Sequence, residues 1–518
     1  MNAVELSLFA NRIGAICKEM GATLKYSALS PNIKDREDFS CALFSTDGEL
    51  VAQAAHIPVH LGSMAYAMRN VVSRFDWHDG DVVVFNDPFL GGTHLPDITV
   101  MLPVFHDQAL LGFSASRAHH ADIGGKSPGS MGVHTTLTDE GLVLEPQYWY
   151  AAGEEQTALL ARLQAHVRNP RERLGDLAAQ LAACQTGAKR LTELHAAQSI
   201  PESFAELLAT SEGYGRQAIA DLPDGEYGFE DVLEDDGTGS GPLPVRVTLS
   251  IAGEKAAVDF SGTAAQCEGP MNCPMPVTAA AVLYCFRCLM PKQTPQTAAV
   301  FRPITIHAPE ACLVNARSGT AVAAGNVETS QRIVDVVLGA LAQAVPDRIP
   351  AAAQGTMNNV IFGGEADGEA WVYYETLAGG MGAHAKGNGL CGVQCHMTNT
   401  KNTSIEVLEM HYPLRISCYG VRPQSGGMGA FRGGDGLIRE WEVLEACTLS
   451  LLTERRSSAP YGLAGGMPGL AGHNQLYRDG HWQELPAKCT IRLQAGERLR
   501  IETPGGGGYG RPERRENS

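Results

Sequence analysis

The spacing of apolar residues changes several times along the 518-residue chain, and each change predicts a different secondary structure. Near the start, apolar side chains recur every three or four residues, which predicts an amphipathic N-terminal helix that ends at Gly21. The apolar positions of this helix are Leu8, Phe9, Ile13, Ile16 and Met20.

From Asp38 onward, the pattern becomes that of short strands separated by turn residues. Two pairs of these strands are close enough in sequence to form hairpins, each closed by a short polar turn. The predicted strands are residues 39–44, 49–53, 82–85, 98–105 and 110–116, with hairpin turns at residues 45–48 and 106–108.

The rest of the chain divides into regions of different composition. Between residues 154 and 220, Ala, Leu, Gln, Arg and Glu dominate, which predicts helices. Strands return at 229–259, buried helices are predicted at 278–289 and 329–344, and after Gly355 short strands alternate with glycine pairs. We therefore expect four regions, namely a β-rich 1–153, a helical 154–222, a mixed 223–350 and a glycine-rich β region 351–518.

Charge and cysteine content narrow the class of protein. The formal net charge is −17, so no basic surface for nucleic acid or anionic lipid is expected. No stretch approaches the ~18 apolar residues of a membrane span, and the first twenty residues lack the pattern of a secretory signal. Thirteen cysteines, an odd number scattered along such a chain, predict reduced thiols in the cytoplasm.

The densest group of chemically reactive residues lies at the ends of the predicted strands. Imidazole and carboxylate side chains together are ligands suited to Zn, Mn or Fe. Because Pro96 rules out a continuous helix, the preceding His and the following Asp are expected in a turn from which both reach one ion. A single His at a strand end is more often a structural residue, so the pattern leaves both interpretations open. The group is Asp38, His94, Asp97, His119, His120 and Asp122.

Two other groups match metal motifs only in part. His56 and His60 have the spacing of helical zinc motifs, but Pro58 disfavours the helix that this spacing requires. We expect His60 to have a structural or substrate-contacting role. Cys285 and Cys288 lie in an apolar helical setting and are interpreted as core cysteines.

Several common catalytic motifs are missing from the sequence. It contains neither the P-loop pattern nor a Gly-x-Gly-x-x-Gly between a strand and a helix, and the glycine run at 505–508 lacks a lysine and a following helix. Any nucleotide is therefore expected on a partner chain. The absence of a Gly-x-Ser-x-Gly elbow disfavours a serine hydrolase.

Long segments of the chain resemble the hydantoinase B/oxoprolinase family, in the family's order and over nearly the whole length. The first group of segments is DFSC (38–41), AAHIPVHLGSM (54–64), NDP (86–88), GTHLPD (92–97) and HHADIGG (119–125). The second group is GNVETSQR (325–332), GTMNN (355–359), HMTNT (396–400), YPLR (412–415), ERR (454–456) and the terminal glycine run.

This resemblance implies a β-rich α+β subunit that works with an A-type subunit of actin-like fold, as a heterotetramer. The A-type subunit would hold ATP and Mg and phosphorylate the amide oxygen of a small cyclic amide, such as a hydantoin, 5-oxoproline or a lactam. The present chain would then complete the hydrolysis at a divalent metal ion, either Zn, Mn or Fe. The resemblance assigns the metal ligands to Asp38, His94, His119 and Asp122.

The resemblance also suggests roles for residues near the metal. Asp97 is close enough to be a ligand or a base, and one free carboxylate, Asp97 or Asp122, could take the proton from water. His120 could exchange roles with His119 as a catalytic residue. Arg332 and the Asn358-Asn359 pair either orient the phosphate or the ring of the substrate or are structural. If they contact the substrate, they do so together with His60.

Two rival functions follow from the same sequence. The chain could belong to an ATP-dependent ketone carboxylase, since subunits of acetone and acetophenone carboxylases share these segments. It could also be a non-catalytic scaffold for the A-type subunit. A requirement for bicarbonate separates the first rival from the hydrolase, and metal content separates the second.

Overall fold

The residues that the structure describes form ten α-helices and four β-sheets, as expected for the predicted α+β class. The structure is a computed structural model and describes residues 1–55, 57–366 and 368–512; His56 of the predicted His56/His60 pair lies outside them. The helices are α1 (Ala3–Ser27), α2 (Pro31–Lys34), α3 (Pro58–Val72), α4 (Leu137–Glu140), α5 (Thr157–His166), α6 (Pro170–His195), α7 (Ile200–Ala220), α8 (Met275–Leu289), α9 (Ser330–Ala344) and α10 (Ile405–His411).

The N-terminal sheet has seven antiparallel strands in the order β2-β1-β5-β4-β3-β6-β7. Both predicted hairpins are confirmed, as β1 with β2 and as β4 with β5. Helices α1 and α6 pack on one face of this sheet, and α3 packs on the other. The strands are β1 (Phe39–Phe44), β2 (Leu50–Ala55), β3 (Val82–Phe85), β4 (Asp97–His106), β5 (Ala109–His119), β6 (Gln147–Ala151) and β7 (Glu154–Glu155).

Two sequence predictions about helix ends are wrong. Helix α1 does not stop at Gly21 but continues to Ser27, because its buried face extends to Leu24 and packing stabilises the helix beyond the glycine. Pro58 does not prevent a helix; it occupies the first turn of α3, where a missing backbone N–H costs nothing. His60 therefore lies in the first turn of a helix.

The second sheet has the order β11-β10-β9-β8, with β10 and β11 parallel. Strand β9 alternates buried and less buried residues, and its buried face packs against α9, which in turn packs against α8. Both predicted buried helices are therefore confirmed, and a π-helical turn, Gly325–Thr329, leads directly into α9. The strands are β8 (Gly225–Leu233), β9 (Leu243–Ala252), β10 (Lys255–Asp259) and β11 (Ile304–His307).

The cysteines of α8 differ in exposure. Cys285 is buried in the core as predicted, whereas Cys288 is exposed at the end of the helix. All thirteen cysteines of the chain are free thiols.

Two antiparallel sheets form the C-terminal part, in the orders β13-β12-β16-β19 and β14-β15-β20-β17-β18. They pack face to face around a shared core that includes Trp441. The strands are β12 (Asn359–Ala366), β13 (Glu369–Thr376), β14 (Leu414–Val421), β15 (Leu437–Val443), β16 (Cys447–Leu452), β17 (His473–Arg478), β18 (His481–Glu484), β19 (Lys488–Leu493) and β20 (Arg498–Glu502).

The terminal glycine run has a packing role. A Cβ atom on Gly506 would lie 2.1 Å from the carbonyl oxygen of Met381, so only glycine allows this contact between backbones. The backbone N–H of Gly506 also donates to the carbonyl of Gly434 at 2.9 Å. The run holds glycine-rich loops together, which accounts for the composition of this region.

None of the described helices has the length and apolar content needed to cross a bilayer.

The close contact between α3 and α8 gives a stability prediction. A Cβ atom on Gly62 of α3 would lie 2.4 Å from the Cα atom of Ala280 in α8. Gly62→Ala is expected to lower the free energy of unfolding by about 1–3 kcal/mol, because the two backbones must separate. Urea denaturation of both proteins measures this difference.

The same substitution in an open helix is the matched control. Gly213 of α7 is exposed, and its Cβ atom would have no neighbour within 4 Å. Gly213→Ala is expected to raise the free energy of unfolding by roughly 0.5–1 kcal/mol through helix propensity alone. Equal effects of the two substitutions would show that α3 and α8 are not in tight contact.

Candidate active site

A small buried cavity lies where the N-terminal sheet meets the π-helical turn and β13. Its volume is about 20 Å³, enough for one water molecule or ion. Five ionisable residues line it, together with Asn326, Tyr374 and several Thr and apolar side chains. The five are Asp38, His60, His94, Asp97 and His119.

The register of three adjacent strands places three of these residues side by side. Strand β5 lies between β1 and β4, and Asp97 at the start of β4 is paired with His119 at the end of β5. On the other side, the backbone N–H of His119 donates to the carbonyl of Asp38 at 3.0 Å. Residues that are 81 positions apart in sequence, from Asp38 to His119, thus meet at one edge of a rigid sheet.

The turn that carries His94 is fixed by buried polar contacts. Asn86 donates to the carbonyl of Leu95 at 2.8 Å, and the guanidinium of Arg117 donates to the carbonyl of Gly91 at 2.6 Å. A Cβ atom on Gly92 would lie 2.3 Å from the carbonyl oxygen of Asn86, so the turn requires glycine there. The predicted turn between His94 and Asp97 is therefore present and rigidly held.

Asp97 is the centre of a buried hydrogen-bond network. Its Oδ2 atom lies 3.1 Å from Nδ1 of His94 and 3.3 Å from Nε2 of His60, and it accepts a hydrogen bond from the hydroxyl of Thr93. Helix α3 supplies His60, whose Nδ1 lies 3.1 Å from the hydroxyl of Ser40. A carboxylate that bonds Nδ1 of an imidazole orients the ring and leaves its Nε2 for another partner.

Three buried imidazole and carboxylate atoms of the cavity have no hydrogen-bond partner among the described residues. They are Nε2 of His94, Nε2 of His119 and Oδ1 of Asp97, and the side-chain oxygen of Asn326 also lacks a partner. The other ring nitrogens are close to amide side chains, with His94 Nδ1 3.2 Å from Asn326 and His119 Nδ1 3.2 Å from Asn32. Both imidazole rings are thus held on one edge and free on the other.

An aromatic ring and a buried cation complete the wall behind His119. Tyr374 of β13 stacks on His119 with ring centres 4.8 Å apart and an angle of 18°. The guanidinium of Arg36 lies 4.4 Å from the centre of the Tyr374 ring and 3.8 Å from the carboxylate of Asp38. This arrangement shields the cavity from solvent and places a fixed positive charge beside it.

Burial and neighbouring charge move the pKa values of the cavity residues in different directions. Burial raises the pKa of Asp38, and burial with the charge of His94 lowers the pKa of His119 well below its usual range. For Asp97 burial raises the pKa, but the charges of His94 and His60 outweigh it and hold the value well below the usual range. One ionised carboxylate and at least one neutral imidazole are the ordinary state of the cavity.

The chemistry of these side chains fits a divalent metal ion. Imidazole nitrogens and a carboxylate oxygen are suitable ligands, and each buried atom without a partner costs about 1–3 kcal/mol, which an ion would offset. Among residues 1–55, 57–366 and 368–512, no group of three or more His, Cys, Asp or Glu side chains is placed so that it could hold a metal ion. The fit is therefore one of side-chain chemistry and burial and not of ligand geometry.

Two residues of the predicted site lie apart from the cavity. His120 follows His119 directly, and successive side chains near a strand end point to opposite faces. Its Nε2 lies 2.9 Å from Oε1 of Gln180 in α6, and burial lowers its pKa to about 4. The carboxylate of Asp122 is held by the side chain of Arg168 and by the backbone N–H of Gly124. The structure therefore does not support His120 as a catalytic residue or Asp122 as a fourth ligand.

Of the four predicted substrate-binding residues, only His60 lies in the cavity wall. Arg332, Asn358 and Asn359 contact other side chains of the protein. Arg332 is buried in ion pairs with Asp335 and Glu454. Asn358 donates to the side chain of Gln354. These residues build the protein interior and do not line the cavity.

Asn359 is one contact removed from the cavity. Its Oδ1 accepts a hydrogen bond from the hydroxyl of Tyr374 at 2.9 Å, and its Nδ2 donates to the buried carboxylate of Glu328 at 2.8 Å. Asn359 therefore positions Tyr374 in the cavity wall.

The sequence prediction missed Asn326 and Tyr374 as cavity residues. Asn326 lies in the π-helical turn, a rare local structure that is common at functional sites, but no sequence pattern predicts such a turn. For Tyr374, the only sequence signal is its position in a predicted β region. The segments GNVETSQR and HMTNT carry the family resemblance, and both contribute side chains to the wall, including Thr398 and Thr400.

The comparisons with known proteins agree with the α+β fold described above. Residues 2–512 match the hydantoinase B/oxoprolinase family. The chain belongs to this family. The resemblance found in the sequence segments is confirmed.

Three relatives show how much of this chain and of each relative is matched. An uncharacterized protein of Methanocaldococcus jannaschii is 39% identical over all of this chain and 92% of its own length. A putative B-type D-/L-hydantoinase subunit of a Pseudomonas species is 33% identical over 97% of this chain and 88% of its own. The 5-oxoprolinase 1 of Arabidopsis thaliana is 39% identical over 98% of this chain, which spans only 42% of that relative's length.

Two solved structures share the fold. The ATP-dependent caprolactamase of Pseudomonas jessenii superposes with a TM-score of 0.92 at 27% identity, covering 99% of this chain and 92% of the caprolactamase chain. Acetone carboxylase superposes with a TM-score of 0.91 at 18% identity, covering 99% of this chain and 76% of that chain, and shows the fold alone.

A buried carboxyl group connects the N-terminal region to the helix that presents Asn326. Glu140, at the end of α4, accepts hydrogen bonds from the backbone N–H groups of Val322 and Ala323 at 2.9 and 2.8 Å. These N–H groups precede the π-helical turn, where they have no helical partner. Burial raises the pKa of Glu140 from 4.5 to about 8.

This shift predicts a pH-dependent contribution to stability. The folded chain keeps the Glu140 proton between about pH 4.5 and 8 while the unfolded chain releases it, so stability falls as pH rises through this window. In Glu140→Gln this loss is absent. The difference in unfolding free energy, variant minus parent, is expected to rise by on the order of a few kcal/mol from acid to alkaline pH, which denaturation curves measure.

The control is Glu365→Gln, at an exposed position of β12. Its difference from the parent is expected to stay constant with pH. A Glu140→Gln difference that is equally flat would show that the pKa of Glu140 is not raised in the folded chain.

Proposed function

We propose that this chain is the metal-dependent subunit of an ATP-dependent cyclic amidohydrolase, and that it hydrolyses a substrate which an A-type partner has phosphorylated. The observation that carries the proposal is the buried cavity with three unpartnered polar atoms, on His94, His119 and Asp97, beside Asp38. The names of two relatives, 5-oxoprolinase and ATP-dependent caprolactamase, support the class of substrate.

The need for ATP follows from the chemistry of a cyclic amide. Amide resonance makes an unstrained lactam carbonyl a poor electrophile, and phosphorylating its oxygen creates a better one with a good leaving group. The ion would be held by His94, His119 and Asp97, with Asp38 beside it, and would supply Lewis-acid activation of water.

The protein's own side chains have three tasks in this reaction. Asp97 orients His94 through Oδ2, so that ring keeps its Nε2 toward the reacting group, and the same oxygen also holds His60 in place. Tyr374 and Arg36 exclude solvent from one side. Asp38, whose carboxylate makes no short hydrogen bond among the described residues, is placed to accept the proton of the attacking water.

The proposed partner is a chain of actin-like fold that holds ATP and Mg. The missing phosphate-binding motifs of this sequence support a division of labour between two chains. The Pseudomonas hydantoinase relative, which is named as a subunit, is matched over 88% of its length, and this supports a separate B-type chain. The longer 5-oxoprolinases, of which this chain spans about two fifths, support the same pairing within one polypeptide.

The decisive experiment combines this chain with its A-type partner and screens hydantoin, 5-oxoproline and lactams for ring opening coupled to ATP hydrolysis. His94→Ala and His119→Ala are expected to lower product formation by at least about 100-fold, because the reacting water loses its activation. His307→Ala, at an exposed position of β11, is the matched control and is expected to keep full activity. Full ATP-coupled activity in both cavity variants would contradict the metal mechanism.

The metal content of the purified chain tests the same site without an activity assay. About one Zn, Mn or Fe ion per purified chain is expected, and His94→Ala and His119→Ala are expected to lose at least tenfold in affinity while the His307→Ala protein keeps its ion. Elemental analysis after dialysis against a chelator measures this. A chain that is active with its partner and holds no ion would favour another mechanism.

Bicarbonate distinguishes the hydrolase from the rival carboxylase. Ring opening is expected to proceed at the same rate with and without added bicarbonate, since water is the second substrate. Product that forms only with bicarbonate, from a ketone, would identify a carboxylase instead.

A further inference from the structure

A second and larger opening lies on the other side of the N-terminal sheet, along α1. Its volume is about 470 Å³, within the range of small-molecule sites. Helix α1, strand β2, helix α7 and the segment after α8 form its walls. It shares no lining residue with the cavity around His94 and His119, and we call it the α1 groove.

The open space results from small residues on one face of α1. Ala3, Ser7, Ala10 and Gly14 recur at helical spacing along the groove, while the large apolar residues of the helix face the core. A Cβ atom on Gly14 would have no neighbour within 4 Å. A side chain added at Gly14 would therefore enter open space in the groove.

The groove is positively charged in a chain of formal net charge −17. Lys18, Arg287 and Lys292 line it, and no Asp or Glu is among the lining residues that the structure describes. The guanidinium of Arg287 is fixed, because its Nη2 donates to the carbonyl of Thr294 at 2.8 Å. Its Nη1 atom is buried and has no partner among the described residues.

Two further buried polar atoms in the wall lack partners within the described part of the chain. Gln53 is 6% exposed and its Oε1 accepts no hydrogen bond, and Thr294 is 2% exposed with an unpartnered hydroxyl. Unpartnered buried polar groups are rare because each loses its bonds to water. Their presence in one concave site points to a ligand that supplies both a donor and an acceptor.

We infer that the α1 groove binds a polyanionic small molecule that also carries a hydrogen-bond donor. Three cationic side chains without a neighbouring carboxylate fit an anion of two or more charges. When the ligand binds, these side chains turn toward the groove, so that Nη1 of Arg287 and the hydroxyl of Thr294 donate to the anionic group and Oε1 of Gln53 accepts from a hydroxyl or amino group of the ligand. A phosphate ester or anhydride and a hydroxylated polycarboxylate share this chemistry.

Calorimetric titration of the full chain with ADP, pyrophosphate, citrate and adenosine tests the inference. ADP or citrate is expected to bind at micromolar to millimolar concentration, more weakly at high salt, and uncharged adenosine at least about tenfold more weakly than ADP. Tight binding of ADP and pyrophosphate without citrate identifies a phosphate ligand, and the reverse identifies a polycarboxylate.

Variants place the binding in the groove. Lys18→Ala and Arg287→Met are expected to weaken binding about tenfold or more, since each removes a charge-assisted contact. Gly14→Leu fills the open space and is expected to abolish binding. Its matched control, Gly213→Leu on α7, adds the same side chain outside the groove and is expected to leave binding unchanged.

Several outcomes would overturn the inference. These are no binding of any anion at millimolar concentration, equal binding of adenosine and ADP, or anion affinity that survives both Gly14→Leu and Lys18→Ala. The readout is independent of ring opening, and all variants are expected to keep the activity proposed for the cavity with the A-type partner. A result that contradicts one of the two proposals therefore does not contradict the other.

Discussion

The antiparallel pairing of β5 with β1 on one side and with β4 on the other is the constraint on which the cavity depends. It places Asp97 opposite His119 and brings the backbone of Asp38 within hydrogen-bonding distance of His119. Because side chains alternate along a strand, a slip of one residue would turn His119 toward α6 and His120 toward the cavity. The register thus decides which imidazole faces the cavity, and the other contacts of the cavity depend on it.

A second set of strong interactions holds the middle and C-terminal regions together. Arg332 of α9 and Arg455, which follows β16, share the carboxylates of Asp231 and Asp335, and all but Asp231 are almost fully buried. Buried ions of this kind are stable only as a complete set, because removing one leaves another charge without compensation. This explains why Arg332 is unavailable to a substrate. It also fixes α9, and with it the π-helical turn that presents Asn326 to His94.

Local sequence patterns predicted much of the frame and part of the site. Alternating apolar residues and polar turns located β1 to β5, and Pro96 correctly indicated the turn that holds His94 and Asp97. Local patterns could not predict the contacts between segments that are distant in sequence. The capture of Asp122 by Arg168 and the approach of Asn326 and Tyr374 depend on packing between regions far apart in sequence. The extension of α1 past Gly21 has the same origin, because burial against the sheet outweighs the low helix propensity of glycine.

The small volume of the cavity has a consequence for the timing of the proposed reaction. A space of about 20 Å³ holds a water molecule or an ion but not a five-membered ring, so the walls must separate before a substrate meets His94 and His119. Admission and chemistry are then separate events, and the slower of the two sets the turnover rate. In the proposed reaction, walls that close again would protect a short-lived phosphorylated substrate from bulk solvent. Selectivity for the activated substrate can therefore reside in the motion of the walls as well as in the shape of the site.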